Sequence, residues 1–377
     1  MNSVKILHCA DVHIGASESF LGHGASARRF ETLLTFERII AAAKESGAKI
    51  ILIAGDLFDS NTIEQTFFDR VFSAIAAVPE IRVVVACGNH DPLNADSPFK
   101  KMSLPENLFV MGEDDGVITF DDIKTRVYGR SFTQVHMQGK PRFSLLVPND
   151  DFINLMVIHG DLSSDLKSDY NAITQGFISE SGMDYIALGH VHKRTGVGRV
   201  GSTFCAYCGC PEGQGFDETD KKGVYIGDVS KGACNLEFLP VSKRQHICEK
   251  IELSDTVSSD SAARITRDIL REKYGEGFYE NLYKIVLVGE VDENSNIDTA
   301  EITGRLAEDL YFVKVTDNTE IKPDLDALSG EKTLKGIFVR RMLDKISTAT
   351  EDEKPQLRRA LTLGLRVFRE DLKINED

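Results

Sequence analysis

The chain has 377 residues, 42% of them hydrophobic, and 44 Lys+Arg against 59 Asp+Glu give a formal net charge of −15. That apolar content excludes wholesale disorder, and the length suits about two domains. The acidity excludes a protein that coats nucleic acid by general charge, but it leaves room for a nuclease with a local basic groove. No apolar run reaches the ~18–20 residues of a membrane helix. The opening stretch, MNSVKILHCADVHIG, meets charge too early for a signal peptide. A cytoplasmic enzyme with no membrane partner is the expectation.

In chain order, Val4–Cys9, Ile50–Ala54, Arg82–Cys87, Phe152–Ile158 and Tyr185–Leu188 are short apolar runs. Such runs read as strands buried on both faces. Leu33, Phe36, Ile39, Ile40 and Ala43 recur at helical spacing, so a helix is predicted over 27–46 with Gly47 as its stop. A second helix is predicted over 62–78, capped by Asn61 and carrying Phe67, Phe68, Val71, Phe72 and Ile75 on one face. Gly116–Arg130 alternates like an antiparallel hairpin, so the sheet is mixed. Cys205, Cys208 and Cys210 read as reduced thiols in a Gly-rich loop, because no nearby His completes a zinc site.

A boundary is predicted near Pro240. Beyond it, strands over 247–253, 282–290 and 311–316 and helices over 258–274 and 299–310 predict a small α+β domain. The tail, 331–377, is read as helical, and its 11 Lys+Arg and 9 Asp+Glu give it a net charge of +2.

Polar residues cluster where the early strands end. They read Asp11-Val12-His13, Gly55-Asp56-Leu57-Phe58-Asp59, Gly88-Asn89-His90-Asp91, His159-Gly160-Asp161 and Gly189-His190-Val191-His192. Five of the nine histidines lie in these segments. In open α/β sheets ligands bind beyond the carboxyl ends of the strands. The fold would therefore gather Asp11, His13, Asp56, Asn89, His90, His159, His190 and His192. Imidazole and carboxylate donors suit Mn2+, Fe or Zn2+. Seven candidate ligands suit two metals sharing a carboxylate better than one.

The motifs DxH, GDxxD, GNHD, HG and GHxH, in this order, resemble those of the calcineurin-like metallophosphoesterases. ILHCADVHIG, IAGDLFDS, GNHDP and ALGHVH further resemble the SbcD-type DNA repair exonucleases and the nuclease component of the double-strand-break repair complex. GCPEGQGFDETDKKGVY and the C-terminal TDNTEIKPDLDALSGEKTLKGIFVRRML are similar to the bacterial, YhaO-like branch. The resemblance implies a sandwich of mixed β-sheets flanked by helices over 1–240, a DNA-binding capping domain over 241–330 and a helical ATPase-docking tail over 331–377. It implies two divalent ions, Mn2+ first, with Fe, Zn2+ or Mg2+ as alternatives. Asp11, His13, Asp56 and His192 would hold one ion. Asp56, Asn89, His159 and His190 would hold the other. His90 would assist the leaving oxygen, with Asp91 accepting from its other ring nitrogen.

The same resemblance implies DNA and an SMC-like coiled-coil ATPase of the SbcC type as partners. It also implies a homodimer, with helix 62–78 as a contact or, equally, as ordinary core. Asp59 either orients a ligand His or satisfies backbone groups. Arg28 and Arg29 either contact phosphate or begin a solvated helix. In the tail, Leu334, Ile337, Phe338, Met342, Leu343 and Ile346, and then Leu357, Leu361, Leu365 and Phe368, repeat at helical spacing. They serve docking or pack on their own domain. A phosphatase or phosphodiesterase for a small phosphoester or nucleotide is the alternative function, and a non-catalytic scaffold is a third.

Overall fold

A computed structural model describes residues 2–137, 147–148, 150–163 and 168–368. Twelve strands build two sheets. They are β1 (Ser3–Cys9), β2 (Ile50–Ala54), β3 (Arg82–Ala86), β4 (Leu108–Val110), β5 (Gly116–Phe120), β6 (Thr125–Gly129), β7 (Ile153–His159), β8 (Tyr185–Gly189), β9 (Gly198–Val200), β10 (Thr203–Tyr207), β11 (Gly223–Ser230) and β12 (Ala233–Pro240). The first sheet runs β12-β11-β1-β2-β3-β4 and the second β5-β6-β7-β8-β10-β9. Strands β1 to β4 are parallel, and β11 joins β1 antiparallel with Leu7 opposite Ile226. The predicted hairpin is β5–β6, so both sheets are mixed.

The alternation along each strand explains the continuous apolar runs. On β2, Ile50, Leu52 and Ala54 turn towards the second sheet and join Val127, Ile153, Leu155, Val157, Tyr185 and Ala187 in a shared core. Ile51 and Ile53 turn the other way, towards α1 (Ala25–Ser46) and α2 (Gln65–Ala76), where Leu33, Phe36, Ile39, Phe68 and Phe72 meet them. Met156, Ile158, Ile186 and Leu188 cover the outer face of the second sheet. With apolar neighbours on both sides, a strand such as β2 stays apolar along its whole length and turns polar only where it ends.

Helix α1 stops at Gly47, whose φ of +75° closes a left-handed cap. Helix α2 begins later than the Asn61 signal predicts. The Asn61 side chain donates instead to Pro92 O and Asn94 Oδ1, which ties the loop after β2 to the loop after β3. The aromatic face of α2 is filled within the chain: Phe67, Phe68, Val71, Phe72 and Ile75 are buried, and Phe58 packs edge-on against Phe68 at 4.7 Å. That face is core. Cys205 sits on β10 rather than in a loop, because β10 pairs with β8, and all seven cysteines are free thiols.

By contact density the chain forms two units. One is Met1–Glu249 with Arg267–Ile285 and Thr303–Lys314, and the other is Lys250–Thr266 with Val286–Ile302 and Val315–Asp377. Strands His246–Glu252, Leu282–Val288 and Phe312–Asp317 form a three-stranded sheet in that order. Helices Leu325–Gly330, Leu334–Thr348 and Lys354–Phe368 follow; the last residues of the predicted tail, 369–377, lie outside the described residues. Val339, Leu361 and Leu365 bury one another together with Phe338, Met342, Leu343 and Ile346, while Leu334, Ile337, Leu363 and Val367 stay exposed. No helix among the described residues is long and apolar enough to cross a membrane.

Candidate metal centre

The site grows out of five loops, three from the first sheet and two from the second. Three of these loops, after β1, β2 and β8, turn sharply enough to force unusual backbone. Asp11, His13, Asp56 and His190 all have positive φ, between 47° and 100°. Left-handed backbone costs a non-glycine residue of order 1–3 kcal/mol and persists where the surroundings over-determine it. Asp11 N–H donates to Gly55 O and His13 N–H to Asp56 O, both at 3.0 Å, so the loops after β1 and β2 hold each other in this shape. Gly55 is obligatory: its φ is +89°, and a Cβ there would fall 2.2 Å from Nδ1 of His159.

Two groups of donor atoms result. In the first, Nε2 of His13 and Nε2 of His192 face each other at 3.1 Å, with Asp11 in the same cluster. In the second, Oδ1 of Asn89 lies 3.0 Å from Nε2 of His159 and 3.2 Å from Nδ1 of His190. Oδ2 of Asp56 sits between the groups, 3.3 Å from Nε2 of His159 and 3.8 Å from Nε2 of His13. Its Oδ1 accepts the backbone N–H of His90 at 2.8 Å. All seven predicted ligands are thus brought together.

The donor chemistry fits cations. Nδ1 of His159 faces the carbonyl of Ala54 at 2.9 Å, which can only accept, so in the neutral ring the proton belongs there and the Nε2 lone pair turns inward. That lone pair, an amide oxygen and a carboxylate oxygen are all acceptors, and they converge on one space. Burial opposes charge on His159, yet Asp56 and Asp11 push its pKa up to about 9. Burial also opposes ionisation of Asp56, but the imidazoles of His159 and His13 hold it below the usual carboxylate range. The pocket attracts positive charge from whatever source.

Carboxylates stand behind three of the imidazoles. Nε2 of His190 lies 3.3 Å from Oδ1 of Asp161, and Nδ1 of His13 lies 3.3 Å from Oδ1 of Asp59 without a hydrogen bond between them. Nδ1 of His192 lies 2.6 Å from Oε1 of Glu218. Such outer partners fix the tautomer of a metal-binding His. Burial works against ionisation of Glu218, but the bond from His192 holds its pKa down to about 2. The sequence reading missed Glu218 because it is remote from the strand-end motifs. Asp161 stood beside one of them and went unassigned.

His90 differs from its neighbours. Its side chain is 45% exposed, and Nδ1 faces the backbone carbonyl of Asp59 at 3.2 Å with the Asp59 carboxylate at 3.7 Å. The partner at this ring is Asp59, not Asp91 as expected. Asp91 is fully buried and spends both oxygens on backbone, accepting from Gly88 N at 2.7 Å and Phe58 N at 3.1 Å. Burial and the nearby Asp56 raise the Asp91 pKa to about 6. Arg28 is equally committed: it is 1% exposed and bonds Glu18, Glu31 and Glu212. A fourth bond runs from Nη2 to Gly213 O, so four of its five hydrogens are spent within the fold and its burial keeps it from a phosphate. Arg29 donates to Gly15 O and Glu64.

Residues 4–194 match the profile of the calcineurin-like phosphoesterases. Among curated relatives, the uncharacterized metallophosphoesterase YhaO of Bacillus subtilis is 28% identical over 250 residues, 63% of this chain and 60% of the relative. The DNA double-strand break repair protein Mre11 of Aeropyrum pernix is 25% identical over 270 residues, 67% of this chain and 64% of that one. A component of the nuclease SbcCD of Rhodobacter capsulatus is 31% identical over 93 residues, 24% of this chain and 22% of that protein. The chain thus spans less than two thirds of the length of these relatives. The profile match covers a little over half of the chain and includes every strand-end motif, so the chain belongs to the calcineurin-like phosphoesterase family.

Proposed function

We propose that this metal-dependent phosphoester hydrolase is a DNA nuclease, cleaving phosphodiester bonds with two divalent ions, Mn2+ first. The observation that carries the metal chemistry is the convergence of acceptor atoms from five loops around Oδ2 of Asp56. In this reading Asp11, His13 and His192 hold one ion, Asn89, His159 and His190 the other, and Asp56 is shared. Two ions bound there supply Lewis-acid polarisation and activate water for attack on phosphorus.

The remaining work falls to the protein. The carbonyl of Asp59 keeps a proton on Nδ1 of His90, so Nε2 can carry a second proton to the leaving oxygen. Asp91 orders the turn that presents Asn89 and His90, through its bonds to Gly88 and Phe58. Its role is positional.

The restriction to DNA draws on the relatives named for double-strand-break repair and for SbcCD. By the same route, residues 241–330 are taken as a DNA-binding cap and 331–377 as a tail for an SMC-like ATPase. The exposed Leu334, Ile337, Leu363 and Val367 supply an apolar surface for such docking. A homodimer and a cytoplasmic setting belong to the same proposal. A phosphatase or phosphodiesterase for small phosphoesters is the second reading, favoured by the charge of −15 and by the burial of Arg28.

Bis-p-nitrophenyl phosphate and linear duplex DNA, each with Mn2+, separate the two. DNA cleavage is expected. Turnover of the small ester with intact DNA, even with the ATPase added, would leave the second reading.

A further inference from the structure

His192 can serve a metal only through the nitrogen that faces the centre. That nitrogen is Nε2, 3.1 Å from Nε2 of His13, so its lone pair must be free and the ring proton must sit on Nδ1. Free imidazole does not hold that choice firmly. Here Nδ1 lies 2.6 Å from Oε1 of Glu218, an ionised carboxylate that can only accept.

Glu218 is itself fixed. Its other oxygen, Oε2, accepts from Gln214 N at 3.1 Å and from the Cys210 thiol at 3.2 Å. Lys222 is 3% exposed, and its ammonium donates to the carbonyl of His192 at 3.0 Å, with Asp220 at 2.9 Å and Oε2 of Glu218 at 3.6 Å. One side chain therefore holds the main chain of His192 while another holds its ring. The donors of His192, Cys210 and Glu218 lie close enough together to bind an ion of their own. The buried ammonium beside the same carboxylate opposes an added cation there.

The geometry points to Glu218 as a positioning residue of the metal centre, committing Nε2 of His192 to one ion, with Lys222 bracing the pair. This deepens the two-ion reading and rests on it. No strand-end motif contains either residue; both come from the segment between β10 and β11.

The test is Mn2+ titration calorimetry on the full chain, with electron paramagnetic resonance of the bound ions. Wild-type protein is expected to bind two ions as a spin-coupled pair. Glu218→Ala should weaken the ion held by His192 by ~10–100-fold and leave the other, so that a single uncoupled Mn2+ signal dominates. Glu218→Gln can still accept the Nδ1 hydrogen and should recover most of the lost affinity. Glu218→Ala protein that binds both ions as tightly as wild type would overturn the role of Glu218 alone. So would equal loss at both sites, or a Gln variant as impaired as the Ala one. Wild-type protein that binds no pair would overturn the two-ion reading as well.

Discussion

A methyl group placed on Gly88 would lie 2.2 Å from Oδ1 of Asp56 and 2.7 Å from its backbone nitrogen. The loop after β3 thus presses its backbone against the carboxylate that stands between the two donor groups. Gly88→Ala must move one or the other. The expected outcome is a loss of ~10-fold or more in metal affinity and activity together. Metal content after gel filtration, measured beside activity, checks it. An Ala variant with full metal content would show that the loop gives way more easily than the fit suggests.

Asp56 and His90 should separate binding from chemistry. Asp56→Ala removes the oxygen that both groups approach and is expected to abolish metal binding and activity. His90→Gln leaves every proposed ligand in place. It should keep its metal while activity falls by ~10²–10⁴-fold, the usual contribution of a general acid. Unchanged turnover in the His90 variant would refute the leaving-group role.

Arg28 should matter to stability and not to substrate. Removing it takes the shared buried cation from Glu18, Glu31 and Glu212, leaving Glu31 to Arg244 and Lys243, Glu212 to Arg38 and Thr35, and Glu18 to His246. Breaking a buried ion pair from one side costs about 3–5 kcal/mol. Arg28→Met is expected to lose that much in urea unfolding, with KM unchanged for the protein that remains folded. A raised KM at full stability would return Arg28 to the substrate.

His8 makes stability depend on pH. It is fully buried on β1, receives the Tyr185 hydroxyl at Nδ1 at 2.8 Å, and donates from Nε2 to Leu188 O at 3.2 Å. Burial lowers its pKa to about 3, only partly offset by the Leu188 bond, so the folded state keeps it neutral. The unfolded chain takes up that proton below pH ~6.5 and the folded chain does not. The stabilisation is whole above that pH and fades as pH falls towards 3, by about 1.4 kcal/mol per unit. Between pH 7.5 and 5, wild type should therefore lose about 2 kcal/mol more than His8→Gln. Equal losses in paired urea melts would mean that His8 is charged in the fold.

Much of this was legible in the sequence because the two sheets share a core. Strands apolar on both faces, such as Ile50–Ala54, end abruptly, and the polar residues that follow stand out. The proposed ligands stand out that way. Strand β12 alternates between exposed and half-buried residues and β11 is only partly covered, so neither produced a run that reads as buried. Asn61 carried a helix-start signal, but its amide is used between loops, a competition that local spacing cannot register. Glu218 was invisible for a different reason. Its meaning depends on lying beside His192, 26 positions away in the chain.

The proposed ligands divide between the sheets. Asp11, His13, Asp56 and Asn89 follow strands of the first, while His159 ends a strand of the second and His190 and His192 follow another. Each ion, in the arrangement proposed, would draw on both. Elsewhere the sandwich is closed mainly by apolar side chains such as Leu52 and Leu155, with hydrogen bonds such as those of His8 to Tyr185 and Leu188. At this rim it would be riveted. Stripping the metal would then be a mechanical event as well as a chemical one, leaving that rim to bonds such as His159 to Ala54 and His190 to Asp11.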